Sequence, residues 1–173
     1  MDRQTKAERD AAFTAFMRQA TPSLLRTAWL LTGSHDAAHD LVQGALVKTY
    51  AVWHKVREPD ALPYARRILI NHRTDTWRKS RGEQPVADTP ERAHHDGTAT
   101  EDRDHVVRLL ATLPEQQRKV VVLRYYNDLS EQAVADLLGI SVGSVKSAAS
   151  RGLASLRAQY PTADTNHSEG SLR

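Results

Sequence analysis

Ser130-Glu131-Gln132-Ala133-Val134-Ala135-Asp136-Leu137-Leu138-Gly139-Ile140-Ser141-Val142-Gly143-Ser144-Val145-Lys146-Ser147 is the stretch on which the reading of the chain turns. Ser130 is a helix N-cap residue, with a hydroxyl placed to accept a backbone N–H of the first turn. Ala133, Val134, Leu137 and Leu138 then recur at helical spacing. Gly139 falls where the chain must turn tightly and a Cβ would be strained. Val142 opens a second, longer helix with Val145, Ala149, Leu153 and Leu156 turned inward. A short helix, a Gly-containing turn and a longer helix make the helix-turn-helix pattern. Ala135 is small where the helices cross, and Ile140 and Val145 plug the joint. Ser144, Lys146, Ser147, Ser150 and Arg151 face outward on the second helix, a set suited to phosphates and base edges. Generic helical hairpins share this spacing, so the pattern needs support from the rest of the chain.

Working upstream, Val106, Val107, Leu109, Leu110 and Leu113 predict a helix ended by Pro114. Val120, Val121, Leu123 and Tyr126 predict another, closed by a turn at Asn127-Asp128. This block spans 104–160, followed by a polar tail, 161–173, expected to be disordered. Before it, residues 82–103 lose all periodicity. Pro85, Pro90, Gly97 and a run of acids leave nothing to bury, which predicts a flexible acidic linker. A first helical block spans 10–81, with apolar residues at three- and four-residue steps from Phe13 to Ile70. Within it Pro22 is expected near a helix start and Pro63 in a helix first turn, with Glu58-Pro59-Asp60 as a break. Thr32-Gly33-Ser34 is expected to close one helix and cap the next. No strand pattern is convincing. The expected fold class is all-α, two small helical domains joined by a linker.

Composition narrows the function. The 173 residues contain no Cys, which excludes disulfides, thiolate metal sites and cysteine nucleophiles and suits the reducing cytoplasm. The N-terminus shows no signal-peptide pattern, and no apolar run approaches the roughly 20 residues of a membrane span. Net charge is only +3, but its distribution is uneven. Between Pro63 and Arg81 stand Arg66, Arg67, Arg73, Arg78, Lys79 and Arg81 against a lone Asp75, and the acidic linker follows. A basic surface on an acidic tether suits a polyanion binder, though a solvated helix face has the same composition.

The motifs carry a resemblance. Leu113-Pro114-Glu115-Gln116-Gln117-Arg118-Lys119-Val120, Leu123-Arg124-Tyr125-Tyr126, the stretch from Leu129 to Ser147, and Ser150-Arg151 with Leu156-Arg157 resemble region four of bacterial sigma factors. Ser23 to Gly33, Ala38-His39-Asp40-Leu41-Val42-Gln43 with Lys48-Thr49-Tyr50 and Trp53, and Tyr64 to Asn71 continuing through Asp75 to Lys79 resemble region two. The nearest likeness is the extracytoplasmic-function (ECF) group of the sigma-70 family, in its actinobacterial sigma-E-like branch. It covers both blocks in the same order.

That resemblance implies a transcription initiation factor rather than an enzyme, without cofactor or metal. Its partners are core RNA polymerase and promoter DNA, and such proteins are commonly restrained by an anti-sigma factor. Asp40, Leu41, Gln43 and Lys48 are implied in polymerase docking. Lys55, Arg57, Tyr64, Arg66, Arg67, Asn71, Arg73, Trp77, Arg78 and Lys79 are implied in melting and reading the −10 element as a single strand. Ser144, Lys146, Ser147, Ser150 and Arg151 are implied in reading the −35 duplex. Trp53, Tyr64 and Trp77 can stack on bases, although Trp29 and Trp53 have apolar neighbours that suit a core role. The chain departs from the family pattern at Ala133, where Glu is usual, at Ala148, where a larger polar residue is common, and at Gly44, where an acid is usual. Two other readings stand beside this one. A stand-alone helix-turn-helix regulator would share the second block. A metal-dependent hydrolase could use His35 and His39, four residues apart, but no third ligand is evident.

Overall fold

The computed structural model describes the backbone of residues 5–80 and 98–159 and the side chains of residues 5–71 and 103–159. Within these, α1 (Lys6–Thr32), α2 (His35–Ala51) and α3 (Glu58–Ser80) form the first module, with a 3-10 turn at Trp53–Lys55. The second module is α4 (Thr98–Ala111), α5 (Glu115–Val121), a π-helical turn (Val122–Tyr126), α6 (Glu131–Leu138) and α7 (Val142–Gln159). No strand occurs among the described residues. The architecture is all-α, as the periodicity predicts.

Local chemistry sets the helix ends. Thr5 accepts the Glu8 N–H at 3.2 Å while the Glu8 carboxylate accepts the Thr5 N–H at 2.7 Å, a reciprocal capping box. These bonds hold the Glu8 carboxyl below its ordinary pKa, because the ionised form is the better acceptor. Gly33 ends α1 in the left-handed region at φ 74°, donating its N–H to Trp29 O at 2.8 Å. Ser34 then caps α2 by accepting the Ala37 N–H at 3.3 Å.

The prolines behave differently from the sequence expectation. Pro22 lies inside α1, which runs unbroken for 27 residues. Pro22 is exposed, so the carbonyl that loses its donor lies on the wet side of the helix. Leu24, Ala28 and Leu31 on the opposite side are fully buried, and that packing outweighs the local penalty. Glu58-Pro59-Asp60 is the first turn of α3 rather than a break, which places Pro63 one turn deeper than expected. Proline tolerates a first turn because its missing N–H has no partner there in any case.

Two boundaries also move. The segment 82–103 was expected to be linker throughout. Residues up to 97 lie outside the described part, but α4 already begins at Thr98. The helix expected through Tyr126 instead widens into the π turn, with the Asn127 N–H donating to Val122 O at 3.0 Å. Asp128 follows in the left-handed region at φ 52°. The tail expected over 161–173 lies outside the described residues.

The modules share one core. In the first, Leu24, Ala28 and Leu31 of α1 pack with Leu41, Val42, Ala45 and Leu46 of α2 and Ala65, Leu69 and Ile70 of α3. In the second, Val120, Val121, Val122 and Leu123 pack with Val134, Val145, Ala148 and Ala149. The two clusters are continuous, because α1 also packs on α4 and on the π turn, and α3 touches α6.

Helix α7 crosses α5 so closely that a Cβ on Gly152 would lie 2.8 Å from the Val121 side chain. Gly143, in the first turn of α7, has only Ser141 Oγ at 3.8 Å. The two glycines therefore predict opposite outcomes. Gly152→Ala is expected to destabilise by about 1–3 kcal/mol through overpacking. Gly143→Ala is expected to stabilise by up to about 1 kcal/mol through helix propensity. Thermal unfolding of the two variants beside the parent chain checks both signs.

Candidate nucleic-acid interface

The helix-turn-helix forms as its sequence predicts. Ser130 Oγ accepts the Ala133 N–H at 3.1 Å, capping α6. Gly139 turns the chain at φ 65° and donates its N–H to Ala135 O. Ser141 Oγ accepts the Ser144 N–H at 3.1 Å and so caps α7, while its hydroxyl lies 2.9 Å from Ser144 Oγ. Ala135 is 3% exposed at the helix crossing, and Val145 is fully buried behind it.

All five outward residues named on α7 are exposed: Ser144, Lys146, Ser147, Ser150 and Arg151. Ser144, Ser147 and Arg151 follow i, i+3, i+7 spacing along one face, with Lys146 and Ser150 beside them. Lys146, Ser147, Ser150 and Arg151 together line a shallow concavity. The Lys146 ammonium lies 3.6 Å from the Glu131 carboxylate on α6, both well exposed. Such a pair contributes little to stability, so the lysine can leave it for a phosphate at small cost. Ala148, the departure from the family pattern, is 3% exposed and packs in the core, so its small size is a packing requirement in this chain.

The first module presents two further surfaces. On α2, Asp40, Gln43 and Lys48 are exposed, whereas Leu41 is only 8% exposed and belongs to the core. Val47 was not singled out by the sequence reading, yet it is 69% exposed and shares the Asp40–Gln43 face at i+7 and i+4 spacing. Nothing local marks Val47 in the sequence; the structure shows it as an exposed valine on a helix whose other large aliphatics are buried. Neighbouring Tyr50 donates its hydroxyl to Asp10 at 2.7 Å, and that bond raises the phenol's pKa. Its ring packs on Phe13, which with Phe16 encloses Trp53. Trp53 is 8% exposed, a core residue.

On and before α3, Lys55, Arg57, Arg67 and Asn71 are exposed and Tyr64 is half-buried. Tyr64, Arg67 and Asn71 share one face by helical spacing. Arg66 differs: it is 9% exposed, burial lowers its guanidinium pKa, and its Nε finds no hydrogen-bond partner among the described residues. Arg73, Trp77, Arg78 and Lys79 continue α3, and their side chains lie outside the described residues. His35 stacks on Trp29 with ring centroids 4.9 Å apart. Among the described residues no group of three His, Cys, Asp or Glu side chains could hold a metal ion.

A groove of about 710 Å³ runs between the modules. Trp29 and Leu30 of α1 form one wall and Val106, Tyr125 and Leu156 the other, with Arg26, Arg103 and Arg157 also lining it.

Fold and surfaces define a two-module helical protein carrying a helix-turn-helix. Residues 16–83 match the family model of sigma-70 region 2, and residues 103–156 match that of sigma-70 region 4. The chain is 37% identical over 155 residues to the RNA polymerase sigma-E factors of Streptomyces avermitilis and Streptomyces coelicolor, covering 88% of this chain and 87% and 88% of theirs. The chain belongs to the sigma-70 family, in its ECF group. Among solved structures, it is similar in fold to the sigma factor RpoE of Bartonella quintana, solved with the anti-sigma factor NepR (TM-score 0.68, 24% identity, 85% of this chain and 95% of that one). It is also similar to CnrH, solved with the cytosolic domain of CnrY (TM-score 0.65, 22% identity, 87% and 88% covered).

The buried face of α7 yields a test of its own. Ala148→Lys is expected to destabilise the fold by roughly 2 kcal/mol or more, since it overpacks the core and buries an amine. Ser147→Lys, one residue away on the exposed face, is expected to stay within about 0.5 kcal/mol of the parent. Chemical denaturation of both variants reads the difference.

Proposed function

We propose that this protein is an alternative sigma factor that binds core RNA polymerase in the cytoplasm and directs transcription from promoters with −10 and −35 elements. It acts by binding and positioning rather than by catalysis. The observation that carries the reading is the pairing, in family order, of a region 2 module with a region 4 module. In this reading the exposed face of α7 enters the major groove of the −35 duplex, with Lys146 and Arg151 on phosphates or base edges and the three serines as hydrogen-bonding partners.

The Tyr64–Arg67–Asn71 face of α3, with Lys55 and Arg57 before it and Arg73, Trp77, Arg78 and Lys79 beyond, serves the melted −10 strand. Stacking contributes about 1–3 kcal/mol per base, enough to help hold an unpaired step open. Arg66 acts from within α3 as a buried support rather than by touching a phosphate in this conformation. Asp40, Gln43 and Lys48 dock on the polymerase, and Val47 joins them as an apolar contact. Leu41 supports that face from beneath. The reading includes an inhibitory partner of the anti-sigma class, for which the apolar groove flanked by Arg26, Arg103 and Arg157 has suitable character.

A stand-alone regulator is the less favoured reading, because the likeness to sigma factors spans both modules rather than the helix-turn-helix alone. Transcription from a promoter library by purified core polymerase, with and without the protein, decides between them. Specific start sites that appear only with the protein support the sigma reading. Tight binding of the free protein to a palindrome, without polymerase, contradicts it.

Two sets of variants locate the contacts. Val47→Asp is expected to weaken core polymerase binding at least tenfold with an unchanged melting temperature, since an exposed site tolerates the charge but a buried contact does not. Lys146→Ala and Arg151→Ala are each expected to weaken promoter binding and to lower the slope of log affinity against log salt by about 1 if the side chain meets a phosphate.

A further inference from the structure

The groove of about 710 Å³ holds chemistry that the promoter surfaces and the polymerase-docking face do not use. Val106, Tyr125 and Tyr126 are exposed, and all three line it. They are three of the six large hydrophobic side chains exposed among the described residues, so half of that surface gathers in one concavity. Exposed apolar residues scattered singly are ordinary, but a concave cluster of them suits an apolar ligand. The indole of Trp29 forms the facing wall.

The charge around this apolar surface has one sign. Arg26, Arg103 and Arg157 line the groove, one each from α1, α4 and α7, and no Asp or Glu of the described residues does. All three are exposed, and none has a hydrogen-bond or ion-pair partner among the described residues. By helical spacing Arg26 shares a face of α1 with Trp29 and Leu30, and Arg103 shares a face of α4 with Val106 and Leu110. Each arginine therefore stands about one turn from apolar lining, with an aliphatic stem that can lie along it and a guanidinium left in water. A planar guanidinium with all its donors free fits a carboxylate by two parallel hydrogen bonds.

We propose that the groove is a binding site for a small amphipathic carboxylate of the fatty-acid type, its tail against Trp29, Val106 and Tyr125 and its head on the arginines. The volume lies within the range of small-molecule sites, about 300–1,000 Å³. Burial of the tail supplies the drive, and the carboxylate fixes orientation and selects against neutral or cationic amphiphiles. An inhibitory protein would meet the same walls, but the concave volume and three uncompensated cations favour a small anion. The site stands independently of the sigma-factor reading, because it depends on the groove walls and not on what the protein does at a promoter. A ligand that binds only the folded chain also stabilises it by mass action.

Dodecanoate, kept below the concentration at which it aggregates, is the probe. Calorimetric titration of the full chain is expected to show saturable one-to-one binding with a negative heat-capacity change, and the melting temperature is expected to rise with ligand concentration. Dodecanol, which has the same tail without the charge, is expected to bind at least about tenfold more weakly, and dodecyltrimethylammonium more weakly again. Arg26→Gln and Arg157→Gln are each expected to weaken dodecanoate about threefold or more and to leave dodecanol unchanged. Val106→Asp is expected to weaken both. The two arginines are exposed, so their variants are expected to fold as the parent does and to carry the test even if Val106→Asp does not. Equal affinity for the three amphiphiles, or dodecanoate binding that neither arginine variant changes, would overturn the proposal, since either outcome means unspecific adsorption. Absence of saturable dodecanoate binding also overturns it and leaves the groove to a protein partner.

Discussion

The structure depends on one helix having to bury more than one side. α1 packs on α2 and α3, and it also packs on α4 and the π turn of the second module. Leu24, Ala28 and Leu31 are fully buried, and so is Thr27 in the same turns. Burying each leucine contributes roughly 1.5–3 kcal/mol. The threonine can share that seam only because both its hydroxyl functions are used, by Ser23 O and by Asn127. A helix so enclosed tolerates an internal proline, and it makes the arrangement of the modules part of the fold.

The second module is governed by close approach. Gly152, Ala148, Ala149 and Ala135 are small where α7 meets α5 and α6. Small residues on the buried side bring α7 down onto its neighbours and leave its polar side fully outward. Ser130 and Ser141 fix the start of each helix, so the direction of α7 is set by caps and packing together. The positive charge on that outward face is modest, Lys146 and Arg151, with Lys146 resting near Glu131.

Among the described residues, buried charge is confined to a few side chains. Lys119 is 5% exposed and lies 2.7 Å from the Glu115 carboxylate, one helical turn away. Arg118 spends its donors on carbonyls at helix ends. Both belong to the stretch Glu115-Gln116-Gln117-Arg118-Lys119. Within it Arg118 serves the join between modules, whereas Lys119 pairs with Glu115 on its own helix. Docking also shapes the groove beside Trp29 and Tyr125.

Much of this protein was settled by sequence alone. Helical periodicity, the serine caps, Gly33, Gly139 and the outward set on α7 are local features, and local chemistry decides them. The family, too, was legible, because motifs from both modules stand in order along the chain. Other outcomes needed the third dimension. Pro22 reads locally as a helix start, but burial of the opposite face of α1 overrides it. Leu41 and Arg66 stand among the candidates read from the sequence and Val47 does not; only packing shows that Leu41 and Arg66 face inward and Val47 outward. Thr27 and Asn127, a hundred positions apart, carry no mutual signal in one sequence. Their hydrogen bond exists because α1 buries a second side against the other module, and a contact between distant segments is fixed by the packing of whole helices rather than by any local pattern.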